Sequence, residues 1–216
     1  MNDIRLRLLW AVIMNDDTLN VTGLARLLGI RQPVATNGLR ALQARGLIGV
    51  RRERYSVYYN LNEDRSLPDA TRLRNSFADY FASAELADDW TGRMMVGLKA
   101  FTHFNRLAIL RRLAKGEATK SELEASAGVV VKTVEHHLRL LSRAKLIEGR
   151  IGADGIGIYR LLPQNHPVFR ELLRQALAGK QSYLNVATGS ERNLRLLHGK
   201  AAGQGFVKKI DLPIYD

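Results

Sequence analysis

The stretch VTGLARLLGIRQPVATNGLRALQARGLIGVRRERYSVYYNL, residues Val21–Leu61, decides the fold. Thr22 stands where a helix N-cap belongs, ahead of Leu24, Leu27 and Leu28, and Gly29 stands where a left-handed C′ residue closes a helix. Pro33 fits the first turn of a second helix, where its missing N–H leaves no bond unmade. Val34, Leu39 and Leu42 give that helix a buried stripe, and Gly46 stops it. Leu47-Ile48-Gly49-Val50 and Ser56–Leu61 then alternate as two strands around the charged tip Arg51-Arg52-Glu53-Arg54. Helix, tight turn, helix and hairpin, in that order, predict a winged helix-turn-helix, a unit that lays its second helix in the major groove of DNA.

Upstream, Arg5–Met14 carries Leu6, Leu9, Trp10 and Ile13 at helical spacing, and Asn15-Asp16-Asp17 ends that helix. Downstream, Pro68 opens a helix with Leu73, Phe77, Tyr80, Phe81 and Ala84 along one face. Such a face is too apolar for a free linker and predicts packing on a neighbour or a dimer seam. Ala87–Gly92 reads as a break between units.

From about Met94 the pattern restarts. Leu141 and Leu42 stand 99 positions apart, as do Leu138 and Leu39, Gly128 and Gly29, Ile147 and Ile48, and Leu123 and Leu24. Tyr159 and Leu161 match Tyr59 and Leu61 at an offset of 100. Pro167 opens an amphipathic helix (Phe169, Leu172, Leu173, Ala176, Leu177) as Pro68 does. A repeat this long is a duplicated domain, since solenoids need three or more shorter units. The expected architecture is mainly α with small β-wings (α+β): two tandem winged helices related by pseudo-two-fold symmetry, with connecting and C-terminal helices. The expected boundaries are 1–66 for the first unit, 67–97 for the connecting helix and linker, 98–163 for the second unit and 164–216 for the C-terminal helices and tail. Within the tail, Ser190 is placed to cap a short helix, 199–205 reads as loop, and Phe206–Tyr215 alternates like an edge strand limited by Pro213.

Thirty-three Lys and Arg against 21 Asp and Glu give a net charge of +12, the signature of a polyanionic partner. Residues 20–61 hold seven arginines and one acid, whereas 67–97 hold three arginines and five acids. The excess therefore sits on the unit expected to read DNA. The chain has no cysteine, which excludes disulfides, thiolate metal sites and thiol nucleophiles. No apolar run approaches the roughly 18 residues of a membrane span, and the N-terminus lacks the layout of a signal peptide, so a cytoplasmic protein is expected.

The second unit holds LKAFTHFNRLAIL (98–110) as an opening helix, then Ser121-Glu122-Leu123, TVEHHLRLL (133–141) and AKLIE (144–148); the first holds LGIRQPVA (28–35) and LRALQARGLI (39–48). Through these motifs the chain resembles the ArsR family of small winged-helix repressors over roughly 1–63 and 98–163, and MarR-type winged helices share much of the pattern. The resemblance implies a DNA-binding transcriptional regulator, and in particular a repressor. It also implies that the N-terminal half of the first reading helix faces bases. There are departures. That family carries one winged helix per chain and dimerises, whereas this chain carries two. The first unit lacks the extra N-terminal dimerisation helix. Cysteine-based metalloid sensing is impossible, and 67–84 and 167–178 lack the His and carboxylate pairs of the family's zinc sensors.

On the first reading helix the apolar stripe leaves Gln32, Thr36, Asn37, Arg40 and Gln43 outward. Amides of this kind read adenine edges, and arginine reads guanine or holds phosphate. Arg51, Arg52 and Arg54 on the wing suit phosphates or the minor groove, contacts that position the protein without specifying sequence. Tyr55, Tyr58 and Tyr59 are expected to pack on the sheet. Gly38 is an unusual residue within a helix and suggests a close approach of another helix or of DNA. In the second unit Lys132, Thr133, His136 and Arg139 occupy the matching outward positions. Glu135 lies among them, where it repels phosphate or accepts from a cytosine amine. The second wing, Gly152–Gly157, is glycine-rich and acidic, so weaker DNA contact or an interaction role is expected there. Adjacent His136 and His137 point about 100° apart and do not chelate one ion. Gly203-Gln204-Gly205 is no dinucleotide fingerprint, and no nucleophile–base pair has a recognisable context, so neither cofactor, metal nor catalysis is expected.

The partner expected is double-stranded DNA, with a small-molecule effector of unread identity and no membrane. The chain acts either as a monomeric pseudo-dimer or as a homodimer through the helices after the wings. A plasmid replication initiator and a tandem winged-helix interaction scaffold are the alternative functions left open by the sequence.

Overall fold

Fourteen elements follow one another in the computed structural model, which describes residues 2–61, 66–83, 89–128, 131–153 and 155–179. Expectations for Ala84, for Ala87 and Asp88, and for the whole tail from Lys180 lie outside the described residues.

Helix α1 (Asp3–Met14) starts where the Asn2 side chain accepts from the Arg5 N–H, and it ends at Asn15. It buries Leu6, Leu8, Leu9, Ala11 and Val12, a wider face than the four-residue stripe expected. Helix α2 (Val21–Leu27) is capped by Asn20, whose Oδ1 accepts from the Gly23 N–H at 2.9 Å. The cap is thus Asn20 and not Thr22, because the helix begins two residues earlier than the leucines alone suggest. Gly29, at φ +63°, closes α2 as expected. Its N–H donates to Arg26 O and the Ile30 N–H to Ala25 O, the paired bonds of a left-handed C-terminal cap. Arg7 of α1 donates to Leu28 O at 3.1 Å and ties the two helices together.

Helix α3 (Gln32–Gln43) has Pro33 in its first turn and buries Ala35, Gly38, Leu39 and Leu42. Val34 is only half-buried, a correction to the expected stripe. The reason is Gly38: a Cβ there would collide with Leu8 Cδ1, so the missing side chain lets α1 cross close to α3 and turns the helix toward its small residues. The close approach is therefore to a helix. After Gly46 (φ +67°) come Leu47 and Ile48, both buried, and the hairpin of β1 (Gly49–Glu53) and β2 (Ser56–Asn60). The pairing runs from Gly49 opposite Asn60 to Glu53 opposite Ser56. Arg51, Arg52 and Glu53 thus belong to the strand, and the turn is Arg54 (φ +50°) and Tyr55. Tyr59 is buried and Tyr58 half-buried, but Tyr55 is wholly exposed at the tip, contrary to its expected packing on the sheet.

Helix α4 (Pro68–Ser83) buries Leu73, Phe77 and Phe81. Helix α5 (Trp90–Ala100) follows, so Trp90–Gly92 is helix and not a break, and α5 runs through the junction expected at 97/98. The single opening helix expected over 98–110 is two, because the chain turns at Phe101–His103 before α6 (Phe104–Leu113). His103 caps α6, accepting from the Asn105 N–H. Buried Arg106 reaches back to donate to Lys99 O, Ala100 O and Thr102 Oγ1, satisfying the end of α5.

The second unit then repeats the first. A short strand β3 (Ala118–Thr119) leads into α7 (Lys120–Ala127), whose start is a capping box of Thr119 and Glu122. Helix α8 (Val131–Arg143) is the second reading helix. Strands β4 (Ile147–Ile151) and β5 (Gly157–Leu161) form the second wing, in a sheet of order β3-β5-β4. The bridge of Asn20 to Tyr58 is the first unit's counterpart of β3. Helix α9 (Pro167–Leu177) buries Val168, Leu172, Gln175 and Ala176, while Leu177 is 40% exposed, contrary to the expected stripe.

Helix α4 lies on α9, its own repeat equivalent. Asp69 at the start of α4 meets Arg174 and Gln175 at the end of α9, and the Tyr80 ring near the end of α4 packs at a tilt against His166 at the start of α9, so the pair is antiparallel. The seam joins the apolar interiors of both units into one continuous core that includes Phe77, Phe81, Leu98, Phe101 and Leu172. A buried polar group stands in it: Asp69 is 3% exposed, takes an ion pair from Arg174 at 2.8 Å, and its backbone oxygen accepts from Gln175 Nε2.

Candidate nucleic-acid interface

In the first unit the outward residues of α3 divide between two shoulders. At about 100° per residue, Gln32, Thr36 and Gln43 share one flank, Arg40 lies next to them, and Asn37 lies beyond it. Gln32, Asn37, Arg40 and Gln43 are exposed. Thr36 is half-buried and its hydroxyl donates to Gln32 O at 3.0 Å. Asn37 lines a pocket of about 180 Å³ with Asn2, Ile4, Arg5, Val34 and Gly38, on the side of α1. Arg40 is on the wing side: burial pushes the Tyr59 phenol up, against the pull of nearby Arg40 and Arg52.

The three wing arginines differ. Arg51 is held by Asp17 at 2.8 Å and by Glu53, and its guanidinium lies 4.7 Å over the Tyr58 ring. Those two carboxylates, Glu53 first, hold its pKa above the usual value. Arg51 therefore braces the wing against the loop after α1. Arg52 and Arg54 are exposed and make no ion pair among the described residues.

In the second unit α8 carries its cations Lys132, Arg139 and Arg143 on one line. With His136 beside them they fall within about 60° of arc, opposite the buried Val134, His137, Leu138 and Leu141. All four are exposed, and Thr133 beside them is half-buried. Arg143 is a residue that the sequence reading did not single out, although its spacing from Arg139 and Lys132 marks it. The acid in this field is spoken for: Glu135 accepts an ion pair from Lys120 at the start of α7, which holds its carboxyl below the usual range. Arg139, Arg143, Ser142, Leu138 and Glu135 line a cleft of about 560 Å³ against Tyr159 of β5. The wing arginines are committed elsewhere, Arg150 to Glu117 and Arg160 to Glu148.

His137 points inward. Asn105 Nδ2 meets its Nε2 at 3.3 Å, and the His103 ring lies 4.7 Å away. Burial, then the neighbouring His103, Arg106 and His136, lowers its pKa to about 4. Its partner on the surface, His136, faces the solvent, so the pair shares no ligand. Among the described residues no group of three or more His, Cys, Asp or Glu is placed to hold a metal, and no helix is long and apolar enough to cross a membrane.

Two reading helices, each followed by a two-stranded wing and each presenting a polar or basic outer face, define a tandem winged helix-turn-helix protein. Residues 1–55 match the model of the MarR family, and residues 101–150 match the model of a helix-turn-helix domain of ArsR-like type. The chain thus carries two winged helix-turn-helix domains of DNA-binding transcriptional regulator families, which are non-enzymatic. No curated protein matches the chain.

Proposed function

We propose that the protein is a sequence-specific double-stranded-DNA-binding repressor that acts in the cytoplasm as a covalent pseudo-dimer. The observation that carries this reading is the seam of α4 on α9. The helices that would pair two chains already pair within one, and α4 has its apolar face covered by its own repeat equivalent. The units are the two winged helices, joined through α4 and α5. A two-fold pair of reading helices suits successive major grooves roughly 34 Å apart. Because α3 and α8 differ, the operator is an imperfect, asymmetric palindrome. Gln32, Asn37, Arg40 and Gln43 read bases or flanking phosphates in one half-site, and Lys132, Thr133, His136 and Arg139 do so in the other. Arg52 and Arg54 hold phosphates.

Footprinting on the protein's own promoter region, with the mass of the complex measured by ultracentrifugation, tests the reading. One chain protecting two unequal half-sites is the expected result. Protection that requires two chains, or no salt-sensitive preference over random DNA, overturns it. Gln32→Ala and Asn37→Ala are expected to change the ranking of operator variants; an equal loss on all sequences removes them from the reading set.

A further inference from the structure

The seam of α4 on α9 turns polar at one end. Asp69 and Gln175 are both buried there, Gln175 completely. The Asp69 carboxylate takes its ion pair from Arg174, which reaches out to solvent. Gln175 Nε2 donates to Asp69 O at 2.9 Å and to Glu171 Oε1 at 2.8 Å, while Gln175 Oε1 has no partner among the described residues. A buried ion pair adds little stability over apolar side chains of the same size, and an orphaned amide oxygen subtracts some. What such a cluster can supply is register. We infer that Asp69 and Gln175 are positioning residues that hold α4 at one register on α9 and so fix the spacing of the two reading helices. The inference rests on the pseudo-dimer reading above.

The apolar residues do not set the register by themselves. Leu73, Phe77 and Phe81 recur every four residues on α4, as Val168, Leu172 and Ala176 do on α9, and all six are buried. Stripes that repeat at about one turn interlock again after a slide of one turn. The polar contacts do not. One turn away, the Asp69 carboxylate would lose Arg174, and Gln175 would lose the backbone oxygen it binds. At the other end of the seam Tyr80 would leave the His166 ring.

Register matters because each of these helices is fastened to its own unit. Arg74 of α4 donates to Leu61 O, at the end of the first wing, at 2.7 Å. Gly46, at the end of α3, leaves no room for a Cβ beside Leu67 and Ala70. On the other side, Arg111 of α6 donates to Ala176 O of α9 at 2.6 Å, and the Phe169 ring of α9 fills the space a Cβ on Gly97 of α5 would need. Sliding α4 on α9 therefore carries one unit past the other. One turn is about 5.4 Å, more than the rise of about 3.4 Å per base pair. Such a step takes one reading helix off a half-site that the other still holds.

Selection from a pool of random duplexes by the full chain tests this, with the distance between the two recovered half-sites as the readout. Wild-type protein is expected to return one spacing, and a change of about two base pairs should cost at least about tenfold in affinity. Asp69→Leu/Gln175→Leu removes both buried groups that cross the seam and leaves Arg174 paired with Glu171. That variant is expected to keep its fold and both half-site sequences, yet to bind spacings about two base pairs apart within about threefold of each other. Asp69→Asn keeps the shape and the Gln175 bond to the backbone, and should fall between the two. Residues that only stabilised the fold would lower affinity at every spacing alike. That result overturns the inference, as does a wild-type spacing preference kept by the folded double variant, or by Asp69→Asn if the double variant does not fold. Recovery of a single half-site by the wild type overturns the pseudo-dimer reading, and the register role with it.

Discussion

Gly38 of α3 and His137 of α8 stand 99 residues apart and occupy the same buried position on their reading helices. In the first unit the absent side chain admits Leu8 and draws α1 close; in the second an imidazole fills the space and bonds to Asn105. The surfaces diverge in the same way. The first unit puts two exposed cations on the wing, Arg52 and Arg54, beside the single Arg40 on its reading helix, and the second puts Lys132, Arg139 and Arg143 on the helix. What stays constant is the frame: glycine at 29 and 128 in the left-handed cap, leucine at 39 and 138, and proline opening α4 and α9. Backbone geometry and apolar burial have few solutions, so they persist. Charge can move between helix and wing because both face the same polyanion.

The sharpest way to break this comparison is to ask whether two chemically unequal units unfold as one. Phe77 is fully buried in the core that α4 shares with α9. Phe77→Ala is expected to cost about 3–5 kcal/mol, the usual loss for a buried phenylalanine. Denaturant unfolding followed by circular dichroism should show one transition shifted as a whole. Two transitions, of which only the earlier moves, mean that the seam does not couple the units.

The second difference is pH. Burial, and then the neighbouring His103, holds the folded His137 pKa down at about 4, against the ordinary histidine value of about 6.5. The unfolded chain therefore binds more protons in that window. Stability is complete above about 6.5, declines as pH falls toward 4 and loses nothing further from this group below it. The total is at most about 3 kcal/mol. His103, also lowered mainly by burial, adds in the same direction. His137→Gln keeps a hydrogen-bonding group for Asn105 but does not titrate, so the acid slope should shrink. An unchanged slope between pH 6.5 and 4 assigns the acid sensitivity to other groups. The first unit has glycine at this position and contributes no such term.

The third comparison concerns where phosphate is held. Arg139→Ala/Arg143→Ala and Arg52→Ala/Arg54→Ala each remove two cations, and each is expected to flatten the salt dependence of binding by about two in slope. The α8 pair should lose more affinity at fixed salt, because its arginines converge on one cleft, whereas Arg54 stands at a turn. A larger loss from the wing pair reverses the ranking.

Much of this frame was legible in the residues. The offset of 99, the closing glycines and the prolines placed α4, α7, α8 and α9 near their positions, because those signals are local, whereas the start of α5 was read as a break. What escaped was set by contacts across the chain. Nothing in 98–110 tells that Arg106 will fold back onto Lys99 O and split the helix. Nothing near Glu135 tells that Lys120, fifteen residues earlier, will neutralise it and leave α8 with a clean basic line. Arg51 looked like its neighbours until Asp17 was brought beside it. Tyr55 was misplaced because the strand reaches to Glu53, three residues further than alternation alone suggested.

The smallest expected effect is also the cleanest comparison. The cap that Gly46 makes at the end of α3 is made by Lys145 at the end of α8, with the same pair of bonds: Gly46 N–H to Gln43 O and Leu47 N–H to Leu42 O, then Lys145 N–H to Ser142 O and Leu146 N–H to Leu141 O. Both residues are left-handed, at φ +67° and +53°. A side chain at such an angle costs about 1 kcal/mol. In the first unit the cost would be compounded, since a Cβ on Gly46 would stand 2.6 Å from Leu67 Cδ1 and 3.3 Å from Ala70 Cβ. Gly46→Ala should therefore destabilise by about 1–3 kcal/mol. Lys145 is exposed and carries its side chain in the open. Lys145→Gly should raise stability, but by less than about 1 kcal/mol, because the greater freedom of glycine in the unfolded chain offsets part of the relief. Chemical denaturation resolves that sign. A loss on Lys145→Gly would mean that the lysine makes a contribution the first unit has no counterpart for, and that the two caps, alike in every bond, are not equivalent in energy.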